Sequence, residues 1–190
     1  MRHYRKIKKA VFPIAGFGTR FLPITKSVPK EMLPIINKPL ISWALEEASS
    51  SGIEEFIFVV GSNTSLLKDY FSKWPALKQK LKKDNQTILL REINKIEKFL
   101  PKIKFVNQKF PLGLGHAIWC ARKIIGDDFF AVILPDDLIL AKNPCLKQMI
   151  EAHKRVGGNL VAVEKVPSDQ VNRYGILDPA SSKGSLIKVK

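Results

Sequence analysis

Apolar residues fall along this chain in short blocks, and the blocks alternate in kind. Ala10-Val11-Phe12-Pro13-Ile14-Ala15 is apolar throughout and stops at Gly16, which predicts a buried strand entering a glycine turn. Leu40, Ile41, Trp43, Ala44, Leu45 and Ala48 recur at helical spacing behind Pro39, and Gly52 suits the helix end. Phe56 to Val60 predicts a second buried strand, Leu66 to Phe71 a short helix, and 104–106 a third strand. Gly115 to Ile125 and Leu146 to Val156 have helical periodicity. Phe129 to Leu134 is the most apolar run and predicts the most buried strand, ending at Pro135-Asp136-Asp137. Asn159 to Val163 predicts one more strand, before a loop through Tyr174-Gly175. Strands apolar on both faces, alternating with helices, predict a Rossmann-like α/β fold, a mostly parallel sheet with helices on both faces. In such sheets ligands bind beyond the carboxyl ends of the strands, which points to the loops after Ala15, Gln108 and Leu134.

Two stretches break the pattern. Phe17 to Pro34 is a long loop punctuated by Pro23, Pro29 and Pro34. Residues 73–104 form a charged insertion with weak helical periodicity inside a single domain covering 1–190.

The 190 residues suit one domain, and 45% of them are hydrophobic, enough for a core. No apolar run approaches a membrane span, and Met1 to Lys9 has no apolar stretch behind it to make a secretory signal. Cys120 and Cys145 stand far from any His or acidic cluster, so both read as packing residues. Lys and Arg number 32 against 17 Asp and Glu, a net +15. The basic residues of the insertion are not interleaved with a regular set of aromatics, as a stacking platform for nucleic acid requires. They read as a solvated surface rather than a nucleic-acid interface.

The candidate chemistry begins at Ala15-Gly16-Phe17-Gly18-Thr19-Arg20. Close glycines let a backbone turn tightly and offer its N–H groups to phosphate oxygens. Phe21 stands where a dinucleotide fingerprint needs its third glycine, and no G-K-[ST] follows, so both common phosphate-loop patterns fail. Two cations remain, Arg20 with a planar fork and Lys30 with a point charge. Further on, Gln108 precedes Gly113-Leu114-Gly115-His116-Ala117, and a side-chain amide can both donate to and accept from a pyrimidine edge. His116 reads equally as a phosphate neighbour or a packed structural residue. Asp136-Asp137 after a hydrophobic run is poorly explained by packing and is well placed to bind Mg²⁺, which takes carboxylates together with substrate phosphates.

Gly16-Phe17-Gly18-Thr19-Arg20, Pro23, Thr25 and Pro29-Lys30-Glu31-Met32-Leu33-Pro34, together with Gln108 and G-L-G-H-A, resemble the sugar nucleotidylyltransferases. The details resemble the branch that joins UTP to glucose 1-phosphate, rather than one using dTTP. The resemblance implies nucleotide contacts from Ala15, Gly16, Gly18, Thr19, Glu31, Gln108 and Gly113. It implies Arg20 and Lys30 on the triphosphate, Asp136 on Mg²⁺ with Asp137 out of line, and Gly175, beside Tyr174, on the sugar. It also implies a cytoplasmic enzyme that releases UDP-glucose and pyrophosphate, in a family that forms homo-oligomers. The family continues beyond Lys190 with a V-E-K-P segment, whose lysine holds the sugar phosphate, and a second metal-binding Asp. Glu164-Lys165-Val166-Pro167 is no substitute, because it precedes Tyr174-Gly175 and carries an extra residue before the proline. The expectation is an incomplete domain that binds UTP but turns it over weakly or not at all.

Overall fold

The structure is a computed structural model that describes residues 5–62 and 64–189. It divides into two compact units, one ending at Gly158 and one beginning at Asn159.

In the first unit, β1 (Lys9–Ile14) leads into the proline-rich loop, which coils through three short 3-10 turns. A tight hairpin, β2 (Pro34–Ile35) and β3 (Lys38–Pro39), then delivers the chain to α1 (Leu40–Ser50). After β4 (Glu55–Val60) come α2 (Ser65–Tyr70), α3 (Pro75–Lys83), α4 (Thr87–Glu97) and β5 (Ile103–Asn107). The chain closes the unit with α5 (Leu114–Cys120), α6 (Arg122–Ile125), β6 (Phe130–Val132) and α7 (Cys145–Val156). The four long-range strands form one sheet in the order β5-β4-β1-β6, parallel at every pairing.

The period-2 alternation of β1 and β4 sorts their side chains into two cores. Ala10, Phe12 and Ile14 join Phe56, Phe58 and Val60 on one face, against Ile41, Ala44, Leu45 and Ala48 of α1 and Ile150 of α7. Val11, Ile57 and Val59 face the other way, onto Ala117 and Ala121 at α5 and Ile125 of α6. Helices therefore cover both faces, as the apolar runs predict. Lys9 ties β1 to the end of α6: its Nζ donates to the carbonyls of Ile124 and Ile125 at 2.9 and 3.0 Å and pairs with Asp128. Those are carbonyls that a helix end leaves without intrahelical partners.

Three expectations need correction. The run Phe129 to Leu134 is not the most buried strand: β6 has three residues, and Phe130 and Val132 are more than one-third exposed. Its apolar composition reflects its place beside β1, but it pairs on one side only among the described residues. Gly115 to Ile125 is two helices, with Ala121 as the joint between them. Asn159 to Val163 is not a strand; no ladder partner lies against it among the described residues, and an extended apolar segment becomes a strand only in a ladder. The 73–104 segment contains two distinct helices, α3 and α4, which turn one residue each, Leu81 and then Phe99 just past α4, into the core.

The second unit, taken by itself, holds a 3-10 stretch at Ser168–Arg173 and an antiparallel hairpin, β7 (Pro179–Lys183) with β8 (Leu186–Val189). Gly184 opens the two-residue turn at φ 60°, a left-handed conformation that suits hairpin turns.

Candidate functional site

The polar groups singled out by the sequence gather where the parallel strands end. Past Ile14 the backbone turns at Ala15-Gly16. Gly61, directly after β4, lies against this turn so closely that a Cβ there would meet the Ala15 carbonyl at 3.3 Å. Gly18 has φ 62°, and a Cβ on it would lie 3.1 Å from Thr25 Cγ2 and 3.2 Å from Lys30 Cβ. Glycine is needed there for both conformation and space. Thr25, buried, donates its hydroxyl to the Gly18 carbonyl at 2.9 Å, and that contact folds the loop back on itself. The prolines thus shape a scaffold in which the glycine turn, Thr25 and Lys30 are neighbours.

Lys30 leaves this scaffold toward the end of β6. Its Nζ lies 2.7 Å from Asp136 Oδ2, with the two side chains only 17% and 22% exposed. Asp136 is held by what precedes it: the Ile133 N–H extends the β1–β6 pairing to the Val11 carbonyl, and Pro135 is fully buried. Asp137 turns away and is exposed, its N–H bound to the Leu134 carbonyl. Next to Lys30, Glu31 is 2% exposed, and its Oε1 has no hydrogen-bond partner among the described residues. Burial pushes its carboxyl up to about 7, a backbone hydrogen bond and Lys30 pull it down, and the Asp136 charge adds to the rise. Thr19 and Arg20 are exposed on the first 3-10 turn, and Arg20 makes no ion pair among the described residues.

A second cluster follows β5. Gln108 is buried, its N–H bound to the Val60 carbonyl at 2.8 Å. Its Nε2 donates to the Gly113 carbonyl at 3.3 Å and to His116 Nδ1 at 2.9 Å. A neutral His116 with its proton on Nε2 satisfies this contact and faces Cys120 Sγ at 3.8 Å. His116 thus orients Gln108, which favours the structural reading of that histidine. Gly113, at φ 92°, starts α5 in a conformation that favours glycine.

Lys30, Asp136 and the glycine loop therefore meet, while Gln108, Gly113 and His116 form their own group, also beyond the carboxyl ends of the parallel strands. Gly175 belongs to the second unit. The closeness of Gly61 to Ala15 was not foreseen from the sequence, which left two readings open for the role of His116. The Gln-to-His spacing across the glycine turn was the available signal for the latter.

No group of three or more His, Cys, Asp or Glu could hold a metal ion among the described residues. A single carboxylate does fit a cation that takes most of its ligands from substrate oxygens and water. The Lys30 ammonium already lies on Asp136, a stand-in for such a charge.

The parallel sheet β5-β4-β1-β6 covered by helices is the fold of an α/β nucleotidyltransferase. The chain belongs to the nucleotidyl transferase family, whose model matches residues 9–189. It is 44% identical over 186 residues to a UTP–glucose-1-phosphate uridylyltransferase of Bacillus subtilis, covering 98% of this chain and 63% of that protein. It is 46% identical to UTP–glucose-1-phosphate uridylyltransferase 2 of Staphylococcus saprophyticus, covering 97% and 64%. Among solved structures, UTP-bound UGPase from Acinetobacter baumannii matches with a TM-score of 0.86 at 41% identity, over 93% of this chain and 63% of that one. A UDP-glucose pyrophosphorylase complexed with UDP-glucose matches with a TM-score of 0.82 at 40% identity, over 97% and 67%. The chain spans just under two-thirds of the length of these two curated relatives. No helix among the described residues is long and apolar enough to cross a membrane.

Proposed function

We propose that this chain carries the nucleotide-binding part of an enzyme that transfers a uridylyl group from UTP to glucose 1-phosphate. The observation that carries the reading is the meeting of Lys30 and Asp136. A lysine on the proline-rich loop, packed against the glycine turn, and an aspartate just past a strand end converge at 2.7 Å, where a phosphate and its counter-cation would sit.

The reaction is displacement at the α-phosphorus. A phosphate oxygen of glucose 1-phosphate forms the new O–P bond, the bond to the bridging oxygen breaks, and pyrophosphate leaves with that electron pair. The nucleophile is already an anion, so no general base is required. Arg20 and Lys30 hold the triphosphate and stabilise the charge gathering on the leaving group. The turn at Ala15, Gly16, Gly18 and Thr19 presents backbone to the nucleotide, and Glu31 contributes on the nucleoside side. Gln108, oriented by His116 and the Gly113 carbonyl, reads the uracil edge. Asp136 would hold Mg²⁺, which supplies electrostatic stabilisation of the phosphate oxygens. Gly175 contributes a backbone contact to glucose. The enzyme works in the cytoplasm, and homo-oligomers are expected of the full-length family.

Relatives of this chain carry about a third more of their own length beyond what it matches. A second reading follows: binding of UTP by these 190 residues with little turnover. Calorimetric titration with UTP and Mg²⁺, run beside a pyrophosphate-release assay with glucose 1-phosphate, separates the two. Saturable binding with turnover supports the transferase. Saturable binding alone supports the nucleotide-binding module, and a folded chain that binds no UTP overturns both.

A further inference from the structure

The Lys30–Asp136 pair differs from most other ion pairs of the chain in its seclusion. Lys8–Glu54 is half exposed at both ends, and Lys95–Glu92 more than half. Such pairs separate into water at little cost. Lys30 and Asp136 retain only about a fifth of their exposure, and they come from segments 106 residues apart. A charge so shielded is costly to leave without its partner. A cation arriving alone at Asp136 would strand Lys30, and a phosphate arriving alone at Lys30 would strand Asp136. Arg20, exposed and outside any ion pair among the described residues, meets a phosphate with no such exchange.

We propose that Lys30 and Asp136 form a counter-ion latch, in which each neutralises the other in the free chain. The nucleotide and its cation together replace this one ion pair with two, Lys30 to phosphate and Asp136 to the cation. The inference rests on the functional reading above, and it adds a consequence that reading does not require. Cation and nucleotide bind poorly apart and well together, each raising the affinity for the other by the same factor. The latch also keeps the lysine and the aspartate aimed at one point before substrate arrives, which limits the ordering that binding must impose.

The test compares affinity for UTP in EDTA, by calorimetry, for the unmodified chain, Asp136→Asn and Asp137→Asn. Asp136→Asn frees Lys30 and should tighten metal-free UTP about five- to tenfold, within the usual range of coupling between sites. Asp137→Asn removes the same charge from the adjacent exposed residue, which makes no ion pair among the described residues, and should change affinity less than about twofold. Equal tightening by both variants would reduce the effect to general charge and overturn the latch. A second readout needs no variant. The ¹⁵N resonance of the Lys30 ammonium should report its bond to Asp136 in the free chain and lose it when UTP and Mg²⁺ are both present. UTP binding in Mg²⁺ with that bond intact overturns the latch and leaves the functional reading standing. A folded chain that binds no UTP with or without Mg²⁺ removes that reading, and the latch with it.

Discussion

The middle of the sheet and the ends of its strands are built on opposite terms. In β1 and β4 the residues Val11, Phe12, Phe56, Ile57, Phe58 and Val59 are fully enclosed and bring no side-chain polar group with them. Beyond the carboxyl ends of the strands, the loops enclose Glu31, Thr25 and Gln108 and draw Lys30 against Asp136. The first region gains stability from apolar burial with no desolvation cost for side chains. The second gives some of it back, since Glu31 keeps a carboxyl oxygen away from water with no hydrogen-bond partner among the described residues. The residues proposed to bind the nucleotide are held in place by a region that does not need them.

The largest blow to this arrangement should come from the apolar side. Phe58 meets Phe12, Phe71 and Phe105 at ring-centroid distances of 5.3, 5.5 and 5.6 Å, in tilted or edge-on contacts. Phe58→Ala empties that junction at a fully buried site. It should cost about 3–5 kcal/mol of stability, read as a fall of roughly 10 °C in Tm for a chain of this size. A loss under about 1 kcal/mol would mean that the sheet centre is not the stabilising region.

At the strand ends the expected effect has the opposite sign. The Glu31 carboxyl is raised from 4.5 to about 7 by burial, so between those values the folded chain holds a proton that the unfolded chain has released. Stability is therefore fully present below pH 4.5 and declines as pH rises toward 7, above which Glu31 is ionised in both states. The shift corresponds to about 3 kcal/mol. Glu31→Gln removes the charge at nearly constant volume. Measured by urea denaturation in EDTA, the variant should match the parent near pH 4.5 and exceed it by up to about 3 kcal/mol at pH 8. Parallel pH profiles for the two chains would show that Glu31 is not the strained group.

How far each region could be read in advance follows the same division. The central strands were legible because a six-residue apolar run between turn residues has few other uses, and β1 and β4 lie within a residue of their predicted limits. The loops around Gly16, Gln108 and Asp136 were legible through their position after strands and through the family resemblance of their motifs. That Lys30 and Asp136 touch was not, because two segments 106 residues apart in sequence meet only through sheet order. The orientation of Gln108 by His116 was left open for a related reason: a histidine's role depends on what its ring nitrogens face. The strand expected at Asn159 to Val163 failed because residue composition describes a strand's faces and says nothing about its edges. The same limit misjudged β6, whose apolar residues say which sheet they join but not which position they take in it.

That last point permits the finest test of the contrast between enclosed and open parts of the sheet. Val59 in β4 and Val132 in β6 are the same residue in parallel strands of one sheet, on the face covered by α5 and α6 at β4. Val59 is fully buried, whereas Val132 is 38% exposed. Trimming either to alanine deletes the same two methyl groups. At Val59 the deletion should leave a cavity and cost about 2 kcal/mol. At Val132 water already reaches the side chain and can follow its retreat, so the cost should be about 0.5 kcal/mol. Denaturation of both variants in one buffer reads the ratio directly. Equal costs would place Val132 in an enclosed environment in solution, with the open side of β6 covered by protein. A ratio near four would leave β6 as the open edge of the sheet.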